Sequence, residues 1–292
     1  MTLLEQVAGQ PRKPVVDLQG PYAEQTLAAK PIAYWRMNEF GGPALHTASG
    51  DIRDATAESG VLFYLQGPQA AAFSTESQIN RALHFAGGRV TAELKDLGPA
   101  YTVDLWFWNG LPGEARAVAG YLISRGSDKD ASATGDHLGI GGTSVAQDHL
   151  IFFNGNKSNE VLSGASKISP KTWNNVVLVR DGAQVNVYLN GNAQPDITGE
   201  IDVTVPAGTG RIFLGGRNDN LFNLEGKLDE VAIFNRALTA EEATARYKLT
   251  GLPVSKPPVS LVPPRSPEAA LRSFKVKDGF EVELVAAEPL VM

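Results

Sequence analysis

Along residues 184–189 apolar and polar positions alternate, with Val185, Val187 and Leu189 on one parity and Gln184, Asn186 and Tyr188 on the other. That is the period of a half-buried β-strand. Runs of similar β-rich texture recur from residue 31 onward, at 32–38, 82–85, 101–108, 121–124, 150–153, 173–180, 211–214 and 227–234, with Gly, Asn and Asp between them. Many short strands punctuated by turn residues predict an all-β sandwich or barrel. Asp181-Gly182-Ala183 joins 173–180 to 184–189 as an antiparallel hairpin, because glycine supplies the positive φ of a tight turn, and Asn190-Gly191 turns the chain again.

One helix is predicted, at 239–249. Thr239 with Glu242 three residues on forms a capping box, Glu241 and Glu242 oppose the N-terminal dipole, and Arg246 and Lys248 suit the C-terminal end before Gly251 and Pro253 stop it. The ends of the chain read differently. Residues 1–30 show mixed polarity without a long period, with Pro11, Pro14 and Pro21, and suggest a lead-in that wraps the domain. Residues 251–267 are proline-rich and predict an extended linker. Beyond it, 266–271 suggests a short capped helix and 279–285 an alternating strand. A helix and a strand alone cannot bury an apolar face, so residues 268–292 are expected to begin a following domain, after a main domain at 31–250.

Composition narrows the function classes. Of 292 residues, 43% are hydrophobic and 20% charged, with 30 Gly and 18 Pro, which fits a globular, turn-rich protein. A formal net charge of −6 without Lys/Arg clusters argues against a nucleic-acid partner. The absence of cysteine removes disulfides, thiolate metal sites and a Cys-x-x-Cys-His haem attachment, so no haem is expected in this fragment. No run approaches the roughly 18 apolar residues of a membrane helix, and membrane insertion is not expected. The N-terminus lacks the basic and apolar regions of a signal peptide, as expected of a fragment taken from a longer chain.

Two stretches resemble known families. Trp173 to Gly182, followed by Val185 to Gly191, is similar to the central hairpin of laminin-G-like, concanavalin-A-like jelly-roll domains, and Gly226 to Glu242 is similar to their closing strand and helix. Ala33 to Glu39 resembles their opening strand, and 101–108 the strand that carries a central Trp. The resemblance spans about 31–250 and implies a two-sheet antiparallel jelly-roll sandwich with one short C-terminal helix. It departs after the first strand, where Thr47-Ala48-Ser49-Gly50 stands in place of the Asp many relatives carry before a Ser-Gly pair. Ser266 to Val291 is similar to the opening of a planctomycete-type, haem-linked β-propeller dehydrogenase-like domain, which implies an exported parent located in the periplasm or outside the cell.

Candidate chemistry is sparse. The strand motifs of paired glycosidase carboxylates are missing, and Asp229-Glu230 are adjacent, which on a regular strand places them on opposite faces. His46, His84, His137 and His149 have no metal or triad spacing. Asp128-Lys129-Asp130 lacks the glycine and closing glutamate of an EF-hand, and Asn218-Asp219-Asn220 reads as a solvated turn. On the parity of Val231 and Ile233, Asp229 is expected to point into the core and to need a cation, a basic side chain, N–H donors or a proton. The family resemblance implies calcium there, with Glu39 or loop carbonyls after the first strand as co-ligands, whereas the departure at Thr47 favours a hydrogen-bonded clasp of the first and last strands. Trp106 and Trp108 share the second face of an otherwise apolar strand, so either they form an aromatic platform for sugar rings or a long loop, such as 110–118 or 40–60, buries them. The expectation is a non-enzymatic recognition module for a glycan or a cell-envelope protein. The alternative is a spacer that positions a neighbouring domain of the same chain.

Overall fold

The computed structural model describes residues 20–49, 54–74, 78–94, 97–130, 135–155, 161–201 and 210–254, together with 271, 279 and 281–283. The chain divides into two compact units, 1–258 and 259–292, and five residues of the second are described. Residues 266–270 of the expected helix and 280, 284 and 285 of the expected strand lie outside the described residues, as do 255–267 of the expected linker and 1–19 of the lead-in, and 281–283 are not paired as a strand.

Two antiparallel sheets form the first unit. In sheet one the order is β14 (Ile197–Glu200), β13 (Gln184–Leu189), β12 (Trp173–Asp181), β7 (Ala100–Asn109), β16 (Glu225–Phe234), β5 (Arg81–Ala86) and β4 (Val61–Gln66), with β1 (Ala33–Trp35) also paired to β16. In sheet two it is β11 (Leu162–Lys167), β10 (Val145–Asn154), β9 (Asp136–Gly142), β8 (Val118–Arg125), β15 (Arg211–Leu214), β6 (Val90–Glu93), β3 (Ala55–Ala57) and β2 (Ala44–Leu45). This is the jelly-roll sandwich the sequence implied. Seven of these strands (β2, β3, β4, β6, β9, β11 and β14) were not among the predicted runs. Three of them contain only two or three residues or are rich in glycine, like Gly139, Gly141 and Gly142 of β9, so no period can be read from them.

The core lies between the sheets, where Val103, Leu105, Phe107, Val176 and Leu178 of sheet one meet Leu138, Ile140, Phe152 and Leu214 of sheet two. An ion pair crosses that core. Arg180, beside Tyr101 in sheet one, donates from Nε to Oδ2 of Asp136 at 3.0 Å, while Tyr101 donates to the same oxygen at 2.6 Å and Asn154, the register partner of Asp136 in sheet two, donates to Oδ1 at 2.8 Å. Both charges are buried and share several hydrogen bonds, which is the condition under which such a pair is tolerated.

The hairpin at Gly182 forms as its sequence predicts, with Asp181 paired to Gln184 and Gly182 at φ 58°. At the next turn Asn190 and Gly191 both take positive φ, and a Cβ at Gly191 would meet the Tyr247 ring at 2.3 Å, so glycine there is required twice over.

Two helices flank sheet one. α1 (Pro21–Ala28) arises in the lead-in, where no period predicted it: proline occupies its first turn, and Gly20 permits an approach to Ala72 that a Cβ would block at 2.6 Å. α2 (Ala240–Leu249) starts at Thr239 with the predicted capping box, in which Glu242 N donates to Thr239 Oγ1 at 3.3 Å and Thr239 N to Glu242 Oε2 at 3.0 Å. Arg236 also clamps the Glu242 carboxylate at 2.7 and 2.9 Å, and together with the Thr239 amide it holds this group down to a pKa of about 2. Thr239→Ala is expected to cost about 0.5–2 kcal/mol, because it strands an amide with no intrahelical acceptor. Urea denaturation measures this, and an unchanged midpoint would contradict the cap.

Candidate functional site

The outer face of sheet one carries Asp229, Glu230, Trp106 and Trp108, and a β-bulge organises it. Between Asp229, paired with Trp106, and Ala232, paired with Asp104, β16 holds one residue more than β7, and Glu230 takes φ 50°. The extra residue resets the alternation. Val231 and Ile233 enter the core, whereas Asp229 shares the outer face with Trp106 and Glu230 joins Tyr34 and Arg36 there. Two expectations change in consequence. Asp229 does not point into the core between the sheets, and adjacency does not place the two carboxylates on opposite faces.

Both carboxylates are fully buried beneath a roof. The roof comprises α1, α2 and the segment around Ala72 and Phe73. Glu230 accepts from Arg36 Nη2 at 2.9 Å and Nε at 3.2 Å and from the Tyr34 hydroxyl. Arg36 Nη2 also reaches the Phe73 carbonyl at 3.2 Å. Asp229 Oδ2 accepts from Asn80 at 2.6 Å, while Asp229 Oδ1 and Asn80 Oδ1 lack a well-placed donor. Nearby, Asp104 accepts from Arg246 Nε at 2.7 Å and from Asn175 at 2.8 Å. Burial raises the Asp229 pKa well above the carboxylate range, and the Glu230 charge raises it further against the weaker pull of Asn80 and Arg36. Burial raises Glu230 too, but Arg36 and Tyr34 oppose it, so the proton of the pair sits on Asp229.

Calcium takes about six to eight oxygen ligands. At Asp229 the carboxylate is met by the Asn80 amide nitrogen, with the Glu230 and Arg36 charges nearby, and among the described residues no three His, Cys, Asp or Glu side chains gather as a metal site. Glu39 lies on the loop after β1 and accepts from the His46 amide at 3.0 Å.

Trp106 is covered completely. Its ring stacks on Tyr247 at 5.5 Å and 12°, meets Phe73 edge-on at 5.2 Å, and donates from Nε1 to the Tyr22 hydroxyl at 2.9 Å. A ligand cannot touch it, so the platform expectation is corrected for this residue. The covering groups come from the two helices and the segment near Phe73, not from 110–118 or 40–60.

Trp108, one step along the same face, is half-exposed. Successive register partners form a row across five strands: Trp173 on β12, Trp108 on β7, Lys227 on β16, His84 on β5 and Leu62 on β4. Four of them are half-buried, and Leu62 is 53% exposed. Four inter-strand spacings of about 4.8 Å make the row about 19 Å long. Trp173 leans on the roof cluster at one end, and Lys227 Nζ sits 5.3 Å from the Trp108 ring centroid while donating to the Gln66 carbonyl at 3.0 Å. Sequence reading missed Trp173, Lys227 and His84 because only the strand register aligns them.

The two oxygen-rich loops on sheet two also meet. Asn218 is buried rather than solvated, and its amide holds the Ser127 and Asp130 carbonyls at 2.7 and 2.8 Å. Beside them His137 is buried against Ser124 at 2.7 Å, and burial pushes its pKa down to about 4.

Two antiparallel sheets packed face to face in this order form a jelly-roll sandwich. The model of the Concanavalin A-like lectin/glucanases superfamily, laminin G type, matches residues 84–244, and the chain belongs to that family. Solved structures agree on the fold. Domain 4 of AbnA, an extracellular arabinanase from Geobacillus stearothermophilus solved with arabinotriose, is 17% identical with a TM-score of 0.52, over 75% of this chain and 98% of that one. The binding domain of Paraclostridial Mosquitocidal Protein 1 is 13% identical with a TM-score of 0.54, over 76% of this chain and 52% of that one. Trypanosoma rangeli sialidase, solved with the inhibitor DANA, is 11% identical with a TM-score of 0.51, over 75% of this chain and 32% of that one. The chain therefore spans nearly all of the arabinanase domain but about half or less of the other two. No curated protein sequence matches it.

Because Asp229 holds its proton more tightly folded than unfolded, its contribution is full below pH about 4 and is lost as pH rises through the folded pKa. The stability of the wild type relative to Asp229→Asn should therefore decline from pH about 4 to 8 in urea titrations. A difference independent of pH would show that Asp229 is ionised in the folded protein.

Proposed function

We propose that this chain is a non-catalytic glycan-binding module of an exported protein, and that the open row on sheet one is its binding surface. The observation that carries the reading is the placement of Trp173 and Trp108 as register partners at the edge of the roof, both half-buried on the outer face. Aromatic rings of this kind offer large contact area to the apolar faces of sugars at little entropic cost. The family and the arabinotriose bound by the arabinanase domain support the same reading. The buried state of Asp229 and Glu230 supports a binding role over hydrolysis, since a substrate cannot reach them through the roof.

In this reading the module is 31–250, residues 251–267 are its linker, and 268–292 open a dehydrogenase-like domain of the same exported parent, with a glycan or cell-envelope protein as the partner. No helix among the described residues is long and apolar enough to cross a membrane.

Trp108→Ala and Trp173→Ala should each weaken binding of a glycan selected on an array by about tenfold, equivalent to about 1.4 kcal/mol, with the fold checked by circular dichroism. Trp106→Phe should leave affinity unchanged. A wild type that retains no glycan would defeat this reading in favour of a spacer that positions the neighbouring domain.

Asp229 in this reading is a protonated clasp rather than a calcium ligand. EDTA should leave the melting temperature of the wild type unchanged. A drop in the wild type that is absent in Asp229→Ala would instead restore calcium.

A further inference from the structure

The open row has a basic centre. Lys227 and His84 are register partners on adjacent strands, and among the described residues neither has a carboxylate within ion-pairing distance. Lys227 spends one donor on the Gln66 carbonyl, and the His84 imidazole makes no hydrogen bond to a described residue. Two basic side chains without a carboxylate partner therefore arise from neighbouring strands, whose backbones run about 5 Å apart, on a surface whose other members, Trp173, Trp108 and Leu62, are aromatic or apolar. A neutral sugar needs only stacking and hydroxyl partners, whereas a cationic centre is matched by an anionic group lying between stacked rings.

Building on the glycan reading above, we propose that Lys227 and His84 make this row selective for acidic glycans, with the carboxylate of a uronic or similar sugar seated between them and neighbouring rings lying on Trp108 and Leu62.

The charged groups that face His84 are few. Lys227 lies opposite it on β16, Glu225 stands two residues along the same strand, and β4 presents Leu62. Burial and then the Lys227 charge lower the His84 pKa, and Glu225 opposes them. His84 is accordingly neutral at pH 7, and Lys227 supplies the standing charge. Acidification beneath the ordinary imidazole range protonates His84 and adds a second positive charge, so affinity for a carboxylate rises as pH falls, until the sugar itself protonates.

The test titrates the full chain with galacturonate, mannuronate and glucuronate oligosaccharides and with their carboxyl-reduced, neutral counterparts, from pH about 5 to 8. At least one acidic series should bind about fivefold or more tightly than its reduced form. Lys227→Met should erase that preference and Lys227→Arg keep it, while His84→Gln should flatten the pH dependence and leave the preference near pH 8. Melting temperatures of the variants check that the fold is intact. Equal binding of acidic and reduced forms, or a preference that survives Lys227→Met, overturns the acidic selectivity and leaves the glycan reading standing. A neutral glycan bound through Trp108 with no acidic one bound does the same. Failure to bind any glycan overturns both.

Discussion

A single residue of extra length in β16 sets the character of this molecule. With Glu230 at positive φ, the strand presents two successive carboxylates to the outer face of sheet one and then resumes its alternation so that Val231 and Ile233 still enter the core. Two buried acids side by side are costly unless they are paired, hydrogen-bonded or protonated. The side chains that answer that cost come from distant parts of the chain, Tyr34 and Arg36 from the first strand and its exit and Asn80 from the approach to β5, and burial beside Glu230 raises the Asp229 pKa so that it favours the protonated form. The bulge therefore ties the opening of the domain to its closing strand by polar bonds, much as Arg180 and Asp136 tie one sheet to the other through the core.

The roof follows from the same face. Trp106, Val177, Val179 and Phe234 make that side of the sheet apolar around the acids, and α1, α2 and the Phe73 segment cover it. Coverage stops one register step beyond Trp106. From that step onward the face changes from buried aromatic and acidic to half-open aromatic and basic, and the roof provides a wall on which Trp173 rests. A sheet face divided in this way has both a rigid support and an accessible row, which is the arrangement a binding surface needs to lose little entropy on engagement.

The family model begins at His84 and ends in α2, so it contains Trp108, Trp173, Lys227 and both acids of the bulge but leaves out Asn80, Arg36, Tyr34 and the whole of α1. The part of the chain that defines the family holds the problem posed by the buried acids, and the segment before it holds most of the solution. The low identities to the solved structures, 11–17% for the three described, are consistent with a shared sandwich whose faces are furnished separately.

By itself the sequence determined the all-β class, the hairpin at Gly182, the capped helix at Thr239 and the two-sided apolar character of 101–108, because each depends on neighbours within a few residues: a period of two, a glycine in a turn, a side-chain oxygen three positions from an amide. It could not determine which face of β16 carries Asp229, because a bulge is one residue of slippage against a partner strand more than a hundred residues away in the chain, and parity counted along one strand does not register it. Nor could it show that Trp106 is roofed while Trp108 is open, since the covering Tyr22, Phe73 and Tyr247 lie in segments with little period of their own. The row of Trp173, Trp108, Lys227, His84 and Leu62 is likewise a product of strand register alone. Register is decided by the packing of both sheets at once, and only the tertiary structure contains it.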